Sequence, residues 1–326
     1  MSPYFNTPHS AVLQALYLWG QRLDRALRSR KARYAPFPTV CVGNFQVGGT
    51  GKTPMTLWLA RALAQRGYEP IIILRGYKGR TRKSTLVDRP DAALFGDEAL
   101  LHAAHFPTIV GKRRLESCEL ARSVASSPKT VLVLDDGLQH YELLKDFSIV
   151  CEKNTAFEHD TLLPIGRLRE VPHNRIDAIV STVLQAPELP VEHWNGVPRY
   201  YFKRSMTLVA GSRAPGILVC GLARSNDFFY AVQKEVGHFL PVELAFGDHH
   251  KYNETDVKKM EQKAAAYGFV VHCTAKDAVK LQPLVQAMNS PLQLCVWDVL
   301  PEPLTAVEPL LEAVVQKIEE VYVERR

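Results

Sequence analysis

Residues 40–53 read VCVGNFQVGGTGKT. They begin apolar and β-branched, pass through a glycine cluster, and end in Gly51-Lys52-Thr53. Beyond them Leu57, Ala60, Leu63 and Ala64 recur with helical period. Strand, glycine loop and helix are the setting of a phosphate-binding loop. Gly48, Gly49 and Gly51 let backbone N–H groups turn toward an anion with no Cβ in the way. The helix N-terminus adds partial positive charge at the same point. Gln46, Val47, Gly48, Gly49, Thr50, Gly51, Lys52 and Thr53 are therefore the candidate nucleotide cradle. Lys52 would reach the outer phosphates, and the Thr53 hydroxyl would face Mg²⁺. The pattern departs from G-x-x-x-x-G-K-[ST] at Gln46, and from the partitioning-ATPase variant at Val47, where that class has lysine.

Further apolar runs order the first half around this loop. Thr130–Leu134 is a buried-strand pattern ending in Asp135-Asp136-Gly137, which reads as a Walker B element whose carboxylate faces Mg²⁺. Pro70–Leu74 is another strand; it feeds a basic loop from Arg75 to Lys83, at the strand end where α/β ligands sit. Gly96-Asp97-Glu98 opens a helix, and in a nucleotide site its acids can act as a base or as metal ligands. His102 and His105 read as part of that helix's polar face. Lys112 and Arg113 follow one apolar piece, and Arg167, Arg169 and Glu170 lie in a Pro/Gly-bent loop.

The expected fold class is α/β: a P-loop NTPase-like parallel sheet with flanking helices, plus a second, smaller α/β lobe. Residues 36–190 form the P-loop lobe in this reading, and 185–198 a Pro-rich linker. Residues 191–326 form the second lobe, whose last helix could return to the first. That lobe has no phosphate loop of its own. It carries Asp248-His249-His250 after a strand, and Thr274–Asp277 reads as a loop.

Residues 1–35 hold six basic residues against one acid, nearly all of the net charge of +6. This is a basic arm, not the surface of a general polyanion binder, so no nucleic-acid partner is expected. Over residues 9–30, Val12, Leu13, Leu16, Trp19, Leu23 and Leu27 share one helical stripe, with Arg22, Arg25 and Arg28 off it. A basic helix with a Trp/Leu face can lie in a membrane interface. No apolar run approaches the roughly 18–20 residues of a membrane span. The positive charges follow the apolar stretch, unlike a signal peptide. The six cysteines form no C-x-x-C pair and read as buried, reduced thiols.

Together these pieces resemble the tetraacyldisaccharide 4′-kinases of lipid A biosynthesis. The motifs are VGNFQVGGTGKTP (42–54), LRGY (74–77), GDE (96–98), VGKR (110–113), LDDGLQH (134–140), LPIGRLRE (163–170), FGDHH (246–250) and TAKD (274–277). They run in family order over nearly the whole chain. Gln46, Leu138 and Ala275 are mild departures.

The resemblance implies transfer of the γ-phosphate of ATP, with Mg²⁺, to the 4′-hydroxyl of a tetraacylated glucosamine disaccharide 1-phosphate. The product would be lipid IVA. It implies peripheral attachment to the cytoplasmic face of a bacterial inner membrane, and no obligate protein partner. It pairs Asp97 with His249 as a base dyad, His250 being the fallback. It groups Glu98, Asp135, Asp136 and Glu170, with Thr53, around magnesium. Arg75, Lys112, Arg113, Arg167 and Arg169 become candidates for the substrate's phosphate. The alternatives are a membrane-associated regulatory ATPase without a lipid acceptor, which Val47 disfavours, and a GTP switch, which lacks an N-K-x-D reader.

Overall fold

The computed structural model describes residues 8–153, 157–173, 175–183, 193–222, 225–237, 240–248 and 250–325. One sheet runs through both lobes. Across it the strands are Glu243–Ala245, Ile217–Cys220, Val270–Thr274, Gln293–Pro303, Val197–Ala210 and Ala178–Thr182. The order continues through Phe147–Lys153, Thr39–Gly43, Thr130–Asp135, Glu69–Leu74, Thr108–Val110 and Thr85–Leu86. Among the described residues pairing is parallel within each lobe, apart from the antiparallel edge strand Thr85–Leu86 and the short hairpin strand His193–Trp194 on Val197–Ala210. The lobes meet along an antiparallel ribbon of Val197–Ala210 and Gln293–Pro303.

The central strands are buried on both faces, which is why their sequences are unbroken apolar runs instead of alternating ones. Val40, Val42, Ile72, Val131 and Val133 point into one core; Cys41, Ile71, Ile73, Leu132 and Leu134 point into the other. The helix Lys52–Gln65 seals the first face with Leu59, Ala60 and Leu63; Ala64 turns to solvent. The final helix, Glu308–Glu324, adds Leu310, Leu311, Val314 and Ile318 to that same core.

Two local expectations are corrected. The linker reading of 185–198 runs into the long strand Val197–Ala210, whose Tyr200 and Phe202 are core residues of the first lobe; residues 184–192 lie outside the described residues. Thr274–Asp277 is not a loop. Thr274 ends a strand and caps the helix Ala275–Ala287, its hydroxyl accepting the Asp277 N–H at 3.1 Å.

The N-terminal helix, Pro8–Ser29, lays its polar side on the protein. Gln14 Nε2 donates to the Leu162 carbonyl at 3.2 Å, and Tyr17 Oη to the Arg169 carbonyl at 2.7 Å. Its apolar stripe faces outward: Leu16 is 61% exposed and Trp19 67%. Among the described residues no helix is long and apolar enough to cross a membrane.

Candidate active site

The site begins at the carboxyl edge of the sheet, where Thr39–Gly43 and Thr130–Asp135 pair in parallel with Val42 opposite Asp135. That register places the glycine loop and the aspartate pair side by side. Gly48 and Gly51 take φ of 106° and 93°, left-handed values that a side chain disfavours. Buried Asn44 braces the turn from inside, donating to the Gln46 carbonyl and, at 3.0 Å, to Thr50 Oγ1. Gln46 is itself buried and donates to Asp160 Oδ2 at 3.1 Å. Not every loop amide is directed at the cradle: the Val47 N–H donates to the Arg167 carbonyl at 2.7 Å, and that of Thr50 to the Gly48 carbonyl at 3.0 Å. Arg204, from the interlobe ribbon, reaches the loop and donates to the Gly49 carbonyl at 3.1 Å.

Lys52 and Thr53 open the following helix beside the aspartates. Thr53 Oγ1 donates to Asp135 Oδ2 at 3.0 Å, and His102 Nε2 lies 2.8 Å from the same oxygen. Because an ionised carboxylate only accepts, His102 must carry its proton on Nε2. Asp135 is buried, which opposes its charge. The His102 hydrogen bond, with help from Lys52 and Thr53, outweighs that and holds its carboxyl below the ordinary range. Asp136 adopts a left-handed φ of 58°, tolerable for aspartate. Its carboxylate lies 3.8 Å from Lys52 Nζ and 3.1 Å from Arg169 Nη1.

Asp97 begins the helix Asp97–Ala103, which carries His102 near its other end. Five residues along a helix span about 7.5 Å, so one short element holds both the candidate base and the partner of Asp135. Gly96, at φ 91°, makes the entry turn: a Cβ there would stand 2.4 Å from the Tyr77 carbonyl oxygen. Across the lobe boundary Lys280 Nζ lies 3.2 Å from Asp97 Oδ2. Glu98 faces Lys276 at 3.8 Å.

The proposed residue set therefore divides. Thr53, Asp135 and Asp136 gather at Lys52. Glu98 and Glu170 do not join them by contact. Glu170 is 1% exposed and accepts from Gln139 and Tyr141, each at 2.8 Å. Burial raises its pKa, but bonds to His173, Tyr141 and Gln139 bring the net shift below the ordinary value. Among the described residues no three acidic, histidine or cysteine side chains form a group able to hold a metal by themselves. His249 lies outside the described residues. His250 is engaged with Asp256, its Nε2 2.9 Å from the carboxylate, and only its backbone carbonyl approaches Lys280.

Of the basic candidates, Arg169 is at the site through Asp136. Arg167 pairs with Asp160 at 2.8 Å and Arg113 with Glu116 at 2.5 Å. Arg75, Lys112 and Arg113 are exposed around the rim.

A family model described as Tetraacyldisaccharide-1-P 4′-kinase matches residues 8–319. The chain belongs to that family. Proteins named tetraacyldisaccharide 4′-kinase are similar to it: one from Paramagnetospirillum magneticum is 32% identical over 309 residues, covering 88% of this chain and 90% of its own. Another, from Halorhodospira halophila, is 35% identical over 295 residues, covering 85% and 84%. A crystal structure of an "apo" form of LpxK from Aquifex aeolicus, in complex with ATP, superposes with a TM-score of 0.74 at 27% identity. It covers 94% of this chain and 96% of that one.

Within this family site, sequence reasoning missed four side chains. His102 was expected on a polar helix face and is instead fully buried against Asp135. Its flanking Leu100 and Leu101 were the available signal. Arg114 followed two exposed bases in one run, yet it alone is buried, donating to the Gly111 carbonyl. Arg204 and Lys280 had no local signal, because each acts on a distant part of the chain.

Proposed function

We propose that this chain transfers the γ-phosphate of ATP to the 4′-hydroxyl of tetraacyldisaccharide 1-phosphate, giving lipid IVA, a step of lipid A biosynthesis. The observation that carries the reading is the arrangement of Lys52, Thr53 and the Asp135–Asp136 pair under the glycine loop, joined by one short helix to Asp97.

In this reading the loop amides and Lys52 hold the outer phosphates and stabilise charge on the transferring group. Asp97 accepts the proton of the attacking hydroxyl, whose pKa lies far above neutrality. Arg169, beside Asp136, stands where it can offer planar donors to a phosphate.

Thr53 and Asp135 present hard oxygen atoms 3.0 Å apart, with the Asp136 carboxylate adjacent through Lys52. Mg²⁺ is commonly held by one or two carboxylates plus substrate phosphates and water, so these residues fit it. When bound it would supply charge neutralisation at the phosphates.

The outward stripe of the N-terminal helix would rest in the interface of the cytoplasmic face of the inner membrane, with its arginines near anionic head groups. An acceptor with four acyl chains would then meet the enzyme without leaving the bilayer.

The test is incubation with γ-labelled ATP and the disaccharide lipid in detergent, followed by location of the label. Label at the 4′-position is expected. Label released only as inorganic phosphate would overturn the assignment in favour of a plain ATPase.

A further inference from the structure

Lys280 sits on the second-lobe helix Ala275–Ala287, and its side chain is 7% exposed. Its ammonium meets three oxygens on three separate elements. Asp97 Oδ2 is 3.2 Å away on the first lobe, the His250 carbonyl 3.1 Å away on the loop after Glu243–Ala245, and Asp277 Oδ1 3.7 Å away on its own helix. The ring of Tyr252 lies 5.5 Å from the same nitrogen.

The support beneath Lys280 is buried and hydrogen-bonded. Asp277 is fully buried and accepts the Gly221 N–H at 3.0 Å and the Thr274 hydroxyl at 2.7 Å. A Cβ on Gly221 would stand 2.8 Å from Asp277 Oδ1, so a glycine is needed for the approach. Nearly burying a lysine costs side-chain freedom and hydration. Here two hydrogen bonds, to Asp97 and to the His250 carbonyl, and the charge of Asp277 at 3.7 Å compensate the ammonium.

We propose that Lys280 is a positioning residue for phosphoryl transfer. It orients the Asp97 carboxylate across the lobe boundary and at the same time holds the His250 carbonyl. This deepens the proposed function and rests on Asp97 being the proton acceptor. The base is then in place only while the second lobe is docked. Nucleotide binding, which belongs to the Lys52 loop, does not require Lys280.

The experiment measures kcat, KM for ATP and thermal midpoint in Lys280→Met, Lys280→Arg, Asp97→Asn and the Lys280→Met/Asp97→Asn double variant. Misplacing a reacting group by about 1 Å can cost about a hundredfold. Lys280→Met should therefore lose about ten- to a hundredfold in kcat, with KM for ATP within about twofold. Lys280→Arg should recover a large part of that loss, since a cation of similar reach returns. The double variant should be no slower than Asp97→Asn alone, because a residue acting through Asp97 has nothing left to orient.

Wild-type kcat in Lys280→Met, losses that multiply in the double variant, or no recovery in a folded Lys280→Arg would each overturn the inference while leaving the kinase reading intact. Near-normal turnover in Asp97→Asn would overturn the inference together with the assignment of Asp97 as proton acceptor.

Discussion

His102 Nε2 and Asp135 Oδ2 lie 2.8 Å apart with both side chains nearly inaccessible, at 0% and 4% exposure. The pair binds the helix that bears Asp97 to the strand that ends under the glycine loop. Replacing His102 by leucine removes the donor and leaves a buried carboxylate oxygen short of a partner, a loss of about 1–3 kcal/mol. We expect a lower thermal midpoint and a fall in turnover larger than in ATP affinity. Unchanged midpoint and turnover would show that the contact carries neither load.

Lys52→Ala and Asp97→Ala should each reduce turnover at least about a hundredfold, the scale of losing a positioned electrostatic or proton-transfer group. They should differ in binding. Lys52→Ala should also weaken ATP affinity, whereas Asp97→Ala should leave it near normal, as measured by calorimetric titration.

Gly51→Ala should abolish productive nucleotide binding for two separable reasons. Its φ of 93° is unfavourable to alanine, and the new Cβ would stand 2.8 Å from Arg204 Nη2. Adding Arg204→Ala relieves the collision but not the backbone strain, so the double variant should remain weak. Recovery of wild-type affinity would mean that crowding alone was at fault.

The two faces of the N-terminal helix should separate in experiment. Serine at Leu16, Trp19 and Leu23 strips the outward stripe and should reduce sedimentation with anionic vesicles, with ATP affinity unchanged. Tyr17→Phe removes the donor to the Arg169 carbonyl and should lower turnover while vesicle binding stays intact. Equal effects of both changes on both assays would contradict this division.

Burial, with Arg114 and Lys145 nearby, pulls His140 down from 6.5 to about 4 against the opposing pull of Glu142. The unfolded chain therefore takes up a proton at a pH where the folded chain does not. Stability from this group is complete above about 6.5 and is lost as pH falls toward about 4. The thermal midpoint should decline over that window, and His140→Gln should flatten the decline.

The glycine loop and the aspartate strand were legible because each states a local backbone requirement within a few residues: β-branched run, glycines, Lys52; apolar run, Asp135. The resemblance then supplied the dyad and the reaction. What stayed hidden is non-local. Lys280 and Asp97 are 183 residues apart, and Arg204 and Gly49 are 155 apart. No periodicity reports such pairs. Glu170 reads as one more acid for magnesium, and no sequence pattern shows that Gln139 and Tyr141 each donate to one of its oxygens. The Val197–Ala210 strand was obscured by the Pro-rich segment before it, and the Ala275–Ala287 helix by its internal Pro283.

The ribbon of Val197–Ala210 and Gln293–Pro303 belongs to the hydrogen-bonded sheets of both lobes at once. Any rotation that opens or shuts the cleft must then be absorbed as coiling of two long strands, with their ladder intact. Arg204 is mounted on this ribbon and donates to the Gly49 carbonyl at 3.1 Å, so a twist of the two strands would shift its grip on the glycine loop.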